Sequence, residues 1–199
     1  MRRAGQRGFS LIEILIVVLV VMIAAAIAVP NIFLAVSNLR LRASAGDLSG
    51  LMQQARILAA KNNTTYDILY ATRNGARIAY VDLNFNSSFD ADEPMMEFSG
   101  TTVPASGTPS GSGQPTAYVL AGDTGSSSYD NANTLGFTGR GLPCNYDTTT
   151  TPVTCSTPVA RYFVYYLTDT RVGGAGWAAV VVTKGGRTKM VTWNGAAWN

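Results

Sequence analysis

The sequence contains no histidine. That removes the commonest general base, the most frequent transition-metal ligand and the usual pH switch near neutrality. Charged residues are scarce too, at 14% of 199 residues, where soluble domains carry about 25%. Cysteine is limited to Cys144 and Cys155. Their spacing, in a stretch rich in Thr and Pro, fits no zinc pattern, and two thiols without histidine cannot complete a four-ligand site. They read either as a disulfide closing a short surface loop, which implies an oxidising compartment, or as two free thiols. No reactive Ser or Cys constellation is present, and no glycine loop is built to cradle phosphate. Gly173 to Gly176 is followed by no helical pattern, so it reads as a tight connection between strands. The expectation is a protein that is not an enzyme.

Positive charge is also thinner than it looks. The net charge is +3, but Arg2, Arg3 and Arg7 lie in the first eight residues. Without them, 12 basic residues face 12 acidic ones, and bulk charge makes no case for nucleic-acid binding.

What the chain does have is one long hydrophobic run. After the short basic stretch MRRAGQRG come Phe9-Ser10-Leu11-Ile12-Glu13 and an unbroken apolar segment from Ile14 to Val29. As a helix, Phe9 to Val29 spans about 31 Å at about 1.5 Å per residue, which matches a hydrocarbon core of about 30 Å. Glu13 is the anomaly. A carboxylate in lipid costs a few kcal/mol and needs a partner; a free amino terminus at Phe9 of a neighbouring subunit would serve, if the chain is cut after Gly8. Two plainer readings stand beside this one. Ala26-Ile27-Ala28 could be the cleavage site of an ordinary secretory signal, heading a secreted β-sandwich module, or the segment could be an anchor that is never processed.

Arg7-Gly8-Phe9-Ser10-Leu11-Ile12-Glu13 resembles the processing motif of type IV pilins and type II secretion pseudopilins. The resemblance implies cleavage between Gly8 and Phe9 by a prepilin peptidase and N-methylation of Phe9. It also implies that Glu13 guides assembly with other pilin subunits by meeting an adjacent amino terminus. Pro30 falls where many such proteins carry a helix-kinking proline. The implied location is the bacterial inner membrane, crossed once, with the head in the periplasm or on an extracellular filament.

Beyond Pro30 a helical rhythm continues to Lys61. Leu48, Leu51, Met52, Ala55, Leu58 and Ala59 form an amphipathic stripe, weakened locally by Gly46 and Gly50. Asn62-Asn63 supplies a stop, because Asn tolerates the left-handed cap. Arg40, Arg42, Arg56 and Lys61 read as solvated or cross-subunit charges.

From Thr64 the texture changes to short β-like runs: Thr65–Ala71, Arg77–Asp82, Met95–Phe98, Ala117–Ala121, Thr134–Thr138, Ala160–Thr168, Trp177–Lys184 and Thr188–Asn194. Ala178 to Val182 is continuously apolar, as in a strand buried on both faces. Gly185-Gly186 reads as a two-residue hairpin turn, and Thr101 to Pro115 as a loop. The division is thus a leader at 1–8, an assembly half-helix at 9–30, an amphipathic half-helix at 31–63 and a β-rich head at 64–199.

Within pilin-like proteins the chain resembles the GspH/FimT-type minor pseudopilins. The matching stretches are Leu51 to Asn63, Ile78 to Asn84 with Asp90 to Pro94 behind it, and Leu135-Gly-Phe-Thr-Gly-Arg-Gly141, with a closing pair at Gly186-Arg187. The fold implied is α+β, a long N-terminal helix packed on an antiparallel β-sandwich-like head.

Two clusters in the head carry possible ligand chemistry. Asp82, Asn84, Asn86, Asp90 and Glu93 fall at positions 1, 3, 5, 9 and 12 of an EF-hand-like loop, with Ser87 where glycine is expected at position 6. They form either a Ca2+ site or an Asx-rich turn that caps its own backbone. Lys184, Arg187 and Lys189, with Trp193 and Trp198 nearby, form either a DNA-binding edge, as in some minor pilins that act in DNA uptake, or a hairpin with solvated charges.

Overall fold

The computed structural model describes residues 10–105, 107–109, 112–113, 115, 126–129, 134–147, 154–156, 162–170 and 176–199. A single helix, α1, runs Leu11–Asn62. The chain divides into two compact units, Met1–Val36 and Ser37–Asn199.

In the first unit, the Ser10 carbonyl accepts the backbone N–H of Glu13 at 3.0 Å and of Ile14 at 3.2 Å, closing the first helical turn. Apolar side chains from Leu11 to Leu34 are exposed on every side, and the segment is long and apolar enough to cross a membrane. Pro30 stays inside α1. It has no N–H for the Ala26 carbonyl, and the Asn31 side chain donates to the next carbonyl, Ile27, at 2.9 Å.

In the second unit, the remainder of α1 buries Leu41, Ala45, Leu48, Leu51, Met52, Ala55 and Ala59. This is the expected stripe, lengthened by two turns at its start. Gly46 and Gly50 are on the exposed side, so their cost is confined to helix propensity. The end is a Schellman cap. Asn63 turns left-handed at φ 48°, and Thr64 N–H reaches back to the Ala59 carbonyl at 3.1 Å, which satisfies a terminal carbonyl.

The strands are β1 (Tyr66–Arg73), β2 (Ala76–Asp82), β3 (Met95–Glu97), β4 (Thr102–Ala105), β5 (Ser126–Tyr129), β6 (Thr134–Phe137), β7 (Pro143–Asp147), β8 (Thr154–Ser156), β9 (Tyr162–Asp169), β10 (Trp177–Val182) and β11 (Thr188–Trp193). They form one sheet in the order β3-β2-β1-β6-β7-β8 and another in the order β11-β10-β9-β4. Both are antiparallel, except that β5 pairs parallel with β9. One core joins the helix stripe to Ile68, Val81, Leu135 and Phe137 of the first sheet and to Phe163, Tyr165, Leu167, Val180 and Val182 of the second. The α+β arrangement is that of a type IV pilin.

The opposite face of the second sheet is also buried. Tyr162, Val164, Tyr166, Ala179, Val181 and Val191 cluster there beneath Ala105, Trp177 and Trp198. Alternate residues of β10 therefore enter separate cores, which is why that strand is apolar throughout.

Several expectations are corrected. Thr101 to Pro115 is not all loop, because 102–105 pair with β9 as β4. Strands β5, β7 and β8 are also unanticipated; they are short and polar, and pairing with a neighbour holds them where propensity would not. Ala117–Ala121 lies outside the described residues, as does 173–175 of the glycine-rich connection. The turn after β10 is longer than two residues. Thr183 N–H donates to the Arg187 carbonyl at 2.9 Å and Gly186 N–H to Thr183 at 2.8 Å, so 184–186 form the loop, with Gly186 left-handed at φ 77°. The tight two-residue turn lies instead between β1 and β2. There Arg73 pairs with Ala76, and Asn74 and Gly75 are both left-handed at φ 50° and 82°, the geometry an Asn-Gly hairpin favours.

Candidate functional site

The membrane end is built around Glu13. It lies in the first turn of α1, where the positive end of the helix dipole favours a carboxylate, and it is exposed. Gly8 and Phe9, the expected processing residues, lie outside the described residues. Pro30 is exposed within the helix, well past the first turn. Glu13 is the single charged side chain between Leu11 and Leu34, where the apolar side chains around it are exposed.

Among the described residues of the head, the loop from Asp82 to Glu93, which leaves β2 and returns to β3, is densely polar. Asp82 terminates β2, and its two carboxylate oxygens accept Phe85 N–H and Ser87 N–H, each at 2.7 Å. Glu93 closes the far end, accepting Leu83 N–H at 2.9 Å and Asp90 N–H at 3.0 Å. Asn84 and Asn86 accept the N–H groups of Asn86 and Ser88 at 3.1 and 2.7 Å. Their carboxamide N–H groups converge on one oxygen of Asp90, at 2.6 and 2.7 Å. Phe89 pins the loop from outside, edge-on to Tyr80 with ring centroids 5.6 Å apart and beneath the Arg73 guanidinium at 5.0 Å. The five residues expected as a set are thus brought together, between strands and not helices. Ser87 takes the left-handed conformation at φ 57° despite its side chain, and Phe85 does so at 62°.

One residue here was not anticipated. Asp67 sits directly opposite Asp82 in the β1–β2 register, so both side chains leave the sheet on the same face. Asp67 is 1% exposed, Asp82 2% and Glu93 5%. Burial pushes the Asp67 carboxyl up to about 7, the charges of Asp82 and Glu93 push it the same way, and a backbone hydrogen bond opposes them. The neighbouring phenols show the same field: burial first, then these carboxylates, raises Tyr80 and Tyr146 to about 12.

Lys184, Arg187 and Lys189 lie together on the β10–β11 hairpin, all exposed. The tryptophans are otherwise engaged. Trp198 packs against Trp193 and Tyr166 with ring centroids 5.4 and 5.8 Å apart, and donates its indole N–H to the Gly113 carbonyl at 2.8 Å. That leaves less open ring for base stacking than the sequence suggested.

The base of this hairpin meets α1 through Arg56. Expected as a solvated or cross-subunit charge, Arg56 is half-buried. Its Nε donates to the Gly141 carbonyl at 2.9 Å and its Nη1 to the Gly186 carbonyl at 3.1 Å. Gln53 also reaches Gly186, at 3.3 Å, and Thr188, at 3.0 Å. Arg40, Arg42 and Lys61 are exposed, as expected. Cys144 and Cys155 are paired, Cα atoms 5.4 Å apart; they stand on the adjacent strands β7 and β8 instead of in a loop.

Comparison with known proteins bears on the membrane end. The prokaryotic N-terminal methylation motif matches residues 3–29. No curated protein and no solved structure matches the chain. The match supports a type IV pilin-like start, with processing by a prepilin peptidase and anchorage by a single apolar helix.

Proposed function

We propose that this chain is a minor pilin or pseudopilin of the GspH/FimT type. It is cut after Gly8, methylated at Phe9, and assembled through α1 into a type II secretion pseudopilus or a type IV pilus. One observation carries the reading. The methylation motif at 3–29 runs into a helix whose apolar first half is exposed all round, with a single carboxylate, Glu13, in its first turn. Such a surface is stable in lipid or against copies of itself. Leaving lipid for a filament removes the cost of a charge in hydrocarbon, once the amine of a neighbouring Phe9 meets Glu13. The role is mechanical and needs no catalytic group.

The subtype rests on the sequence resemblance of the head. Arg56, Gly141 and Gly186 belong to three separate stretches that carry the resemblance, and the fold joins them at one junction.

The test is assembly. In cells making the filament, wild-type chain is expected in the sheared filament fraction. Glu13→Gln should be processed and retained in the membrane but depleted from filaments. Equal recovery of the variant in filaments would reject this role for Glu13.

A further inference from the structure

We propose that the loop from Asp82 to Glu93, together with Asp67 beneath it, is a binding site for one calcium ion. This stands independently of the pilin reading. The loop places oxygen-bearing side chains at the first, third, fifth, ninth and twelfth positions, and turns left-handed at its fourth and sixth, Phe85 and Ser87. A calcium loop with oxygen ligands at those positions makes its sharp turn at the sixth. These features alone describe an acidic, self-capped turn.

The observation that points to a cation is Asp67. Its Oδ1 is buried without any hydrogen-bond partner, on the face it shares with Asp82. The charges acting on it are those of Asp82 and Glu93, with no basic group among them. Its side chain is 1% exposed, so water screens that repulsion poorly. A backbone hydrogen bond also acts on this carboxyl, but Oδ1 stays a buried polar atom with no partner, and such atoms are costly unless hydrogen-bonded or bound to a metal. Its neighbour on β6 is Gly136, where the space a side chain would take is filled by Tyr146 and Cys144.

The donor set selects the ion. It holds oxygen alone, from carboxylates and carboxamides, which suits a hard cation over the transition metals. An irregular loop with mixed ligands suits calcium, which accepts six to eight oxygens, better than magnesium with its strict octahedron. Among the described residues, no three acidic side chains already stand in a metal-holding arrangement. Asp82 and Glu93 turn their oxygens onto backbone amides, and Asn84 and Asn86 turn N–H groups onto Asp90. Calcium takes Asp90 as a ligand in place of those two N–H groups, and each carboxamide that turns its oxygen inward gives up the backbone N–H it now accepts, that of Asn86 for Asn84 and of Ser88 for Asn86.

The test uses the full chain in detergent, titrated with Ca2+ or Mg2+ by calorimetry and melted in Ca2+ or in chelator. The expected result is saturable binding of one Ca2+ per chain, a higher melting temperature in Ca2+, and much weaker binding of Mg2+. Asp90→Asn and Asp67→Asn should each weaken Ca2+ binding at least tenfold. Asn84→Ala replaces either variant that circular dichroism shows to be unfolded. Absence of saturable Ca2+ binding by the wild type would overturn the proposal. So would Mg2+ binding of equal strength, or Ca2+ affinity unchanged in the folded variants.

Discussion

The Arg56 guanidinium donates to the Gly186 carbonyl at 3.1 Å while its Nε holds Gly141 at 2.9 Å. One helical side chain thus fastens two turns from different sheets onto α1. Gly186 is left-handed, and a Cβ there would stand 2.7 Å from the Gly141 oxygen and 2.9 Å from Arg56 Nε. Backbone conformation and space both require glycine.

Arg56→Ala leaves two carbonyls short of charged donors. Hydrogen bonds to charged groups contribute about 1.5–3 kcal/mol each; because Arg56 is half-buried and Gln53 keeps its bond to Gly186, the expected loss by denaturant unfolding is about 2–4 kcal/mol. Arg56→Lys should recover only part of it, since one ammonium cannot reproduce the fork. Gly186→Ala should be at least as damaging, while Gly185→Ala, with nothing near its Cβ, should lie within about 0.5 kcal/mol of wild type.

The helix stop can be tested at Asn63. Its left-handed backbone costs a branched residue about 1–2 kcal/mol, so Asn63→Val should lower the melting temperature. Asn63→Gly should hold or raise it.

At pH 8, where a carboxyl pushed up to about 7 is largely ionised, Asp67→Asn removes one charge from a buried group of three and keeps the shape. In chelator the variant is expected to melt higher than wild type, by on the order of 1–2 kcal/mol of stability. A lower melting point would show that the Asp67 carboxylate is favourable as it stands.

The Cys144–Cys155 pair is expected to be oxidised in the mature protein. Closing so short a loop contributes about 3 kcal/mol on chain-entropy grounds. Reductant should therefore lower the melting temperature of the wild type and leave a Cys144→Ser, Cys155→Ser double variant unchanged.

Much of this was legible in the sequence, for physical reasons. The apolar run to Val29 and the stripe from Leu48 to Ala59 report burial or lipid directly, and Asn63 marks its stop by chemistry. Strands β1, β2, β9, β10 and β11 show through β-branched and aromatic runs. Strands β4, β5, β7 and β8 do not, since Ser126–Tyr129 or Thr154–Ser156 pair because neighbouring strands offer free backbone groups. In the sequence Arg56 reads as a solvated or cross-subunit charge, because its partners are carbonyls, which every residue has, on turns far along the chain. Asp67 was missed because only the register set by the Asn74-Gly75 turn brings it opposite Asp82; the signal was that Asn-Gly pair.

The central claim is that the methylation-motif start is processed and functional. Mass spectrometry of the amino terminus of the protein made in its own cells tests it most directly. The account predicts a mature chain beginning at Phe9 with a methylated amine. A chain beginning at Val29, or one retaining residues 1–8, would contradict it.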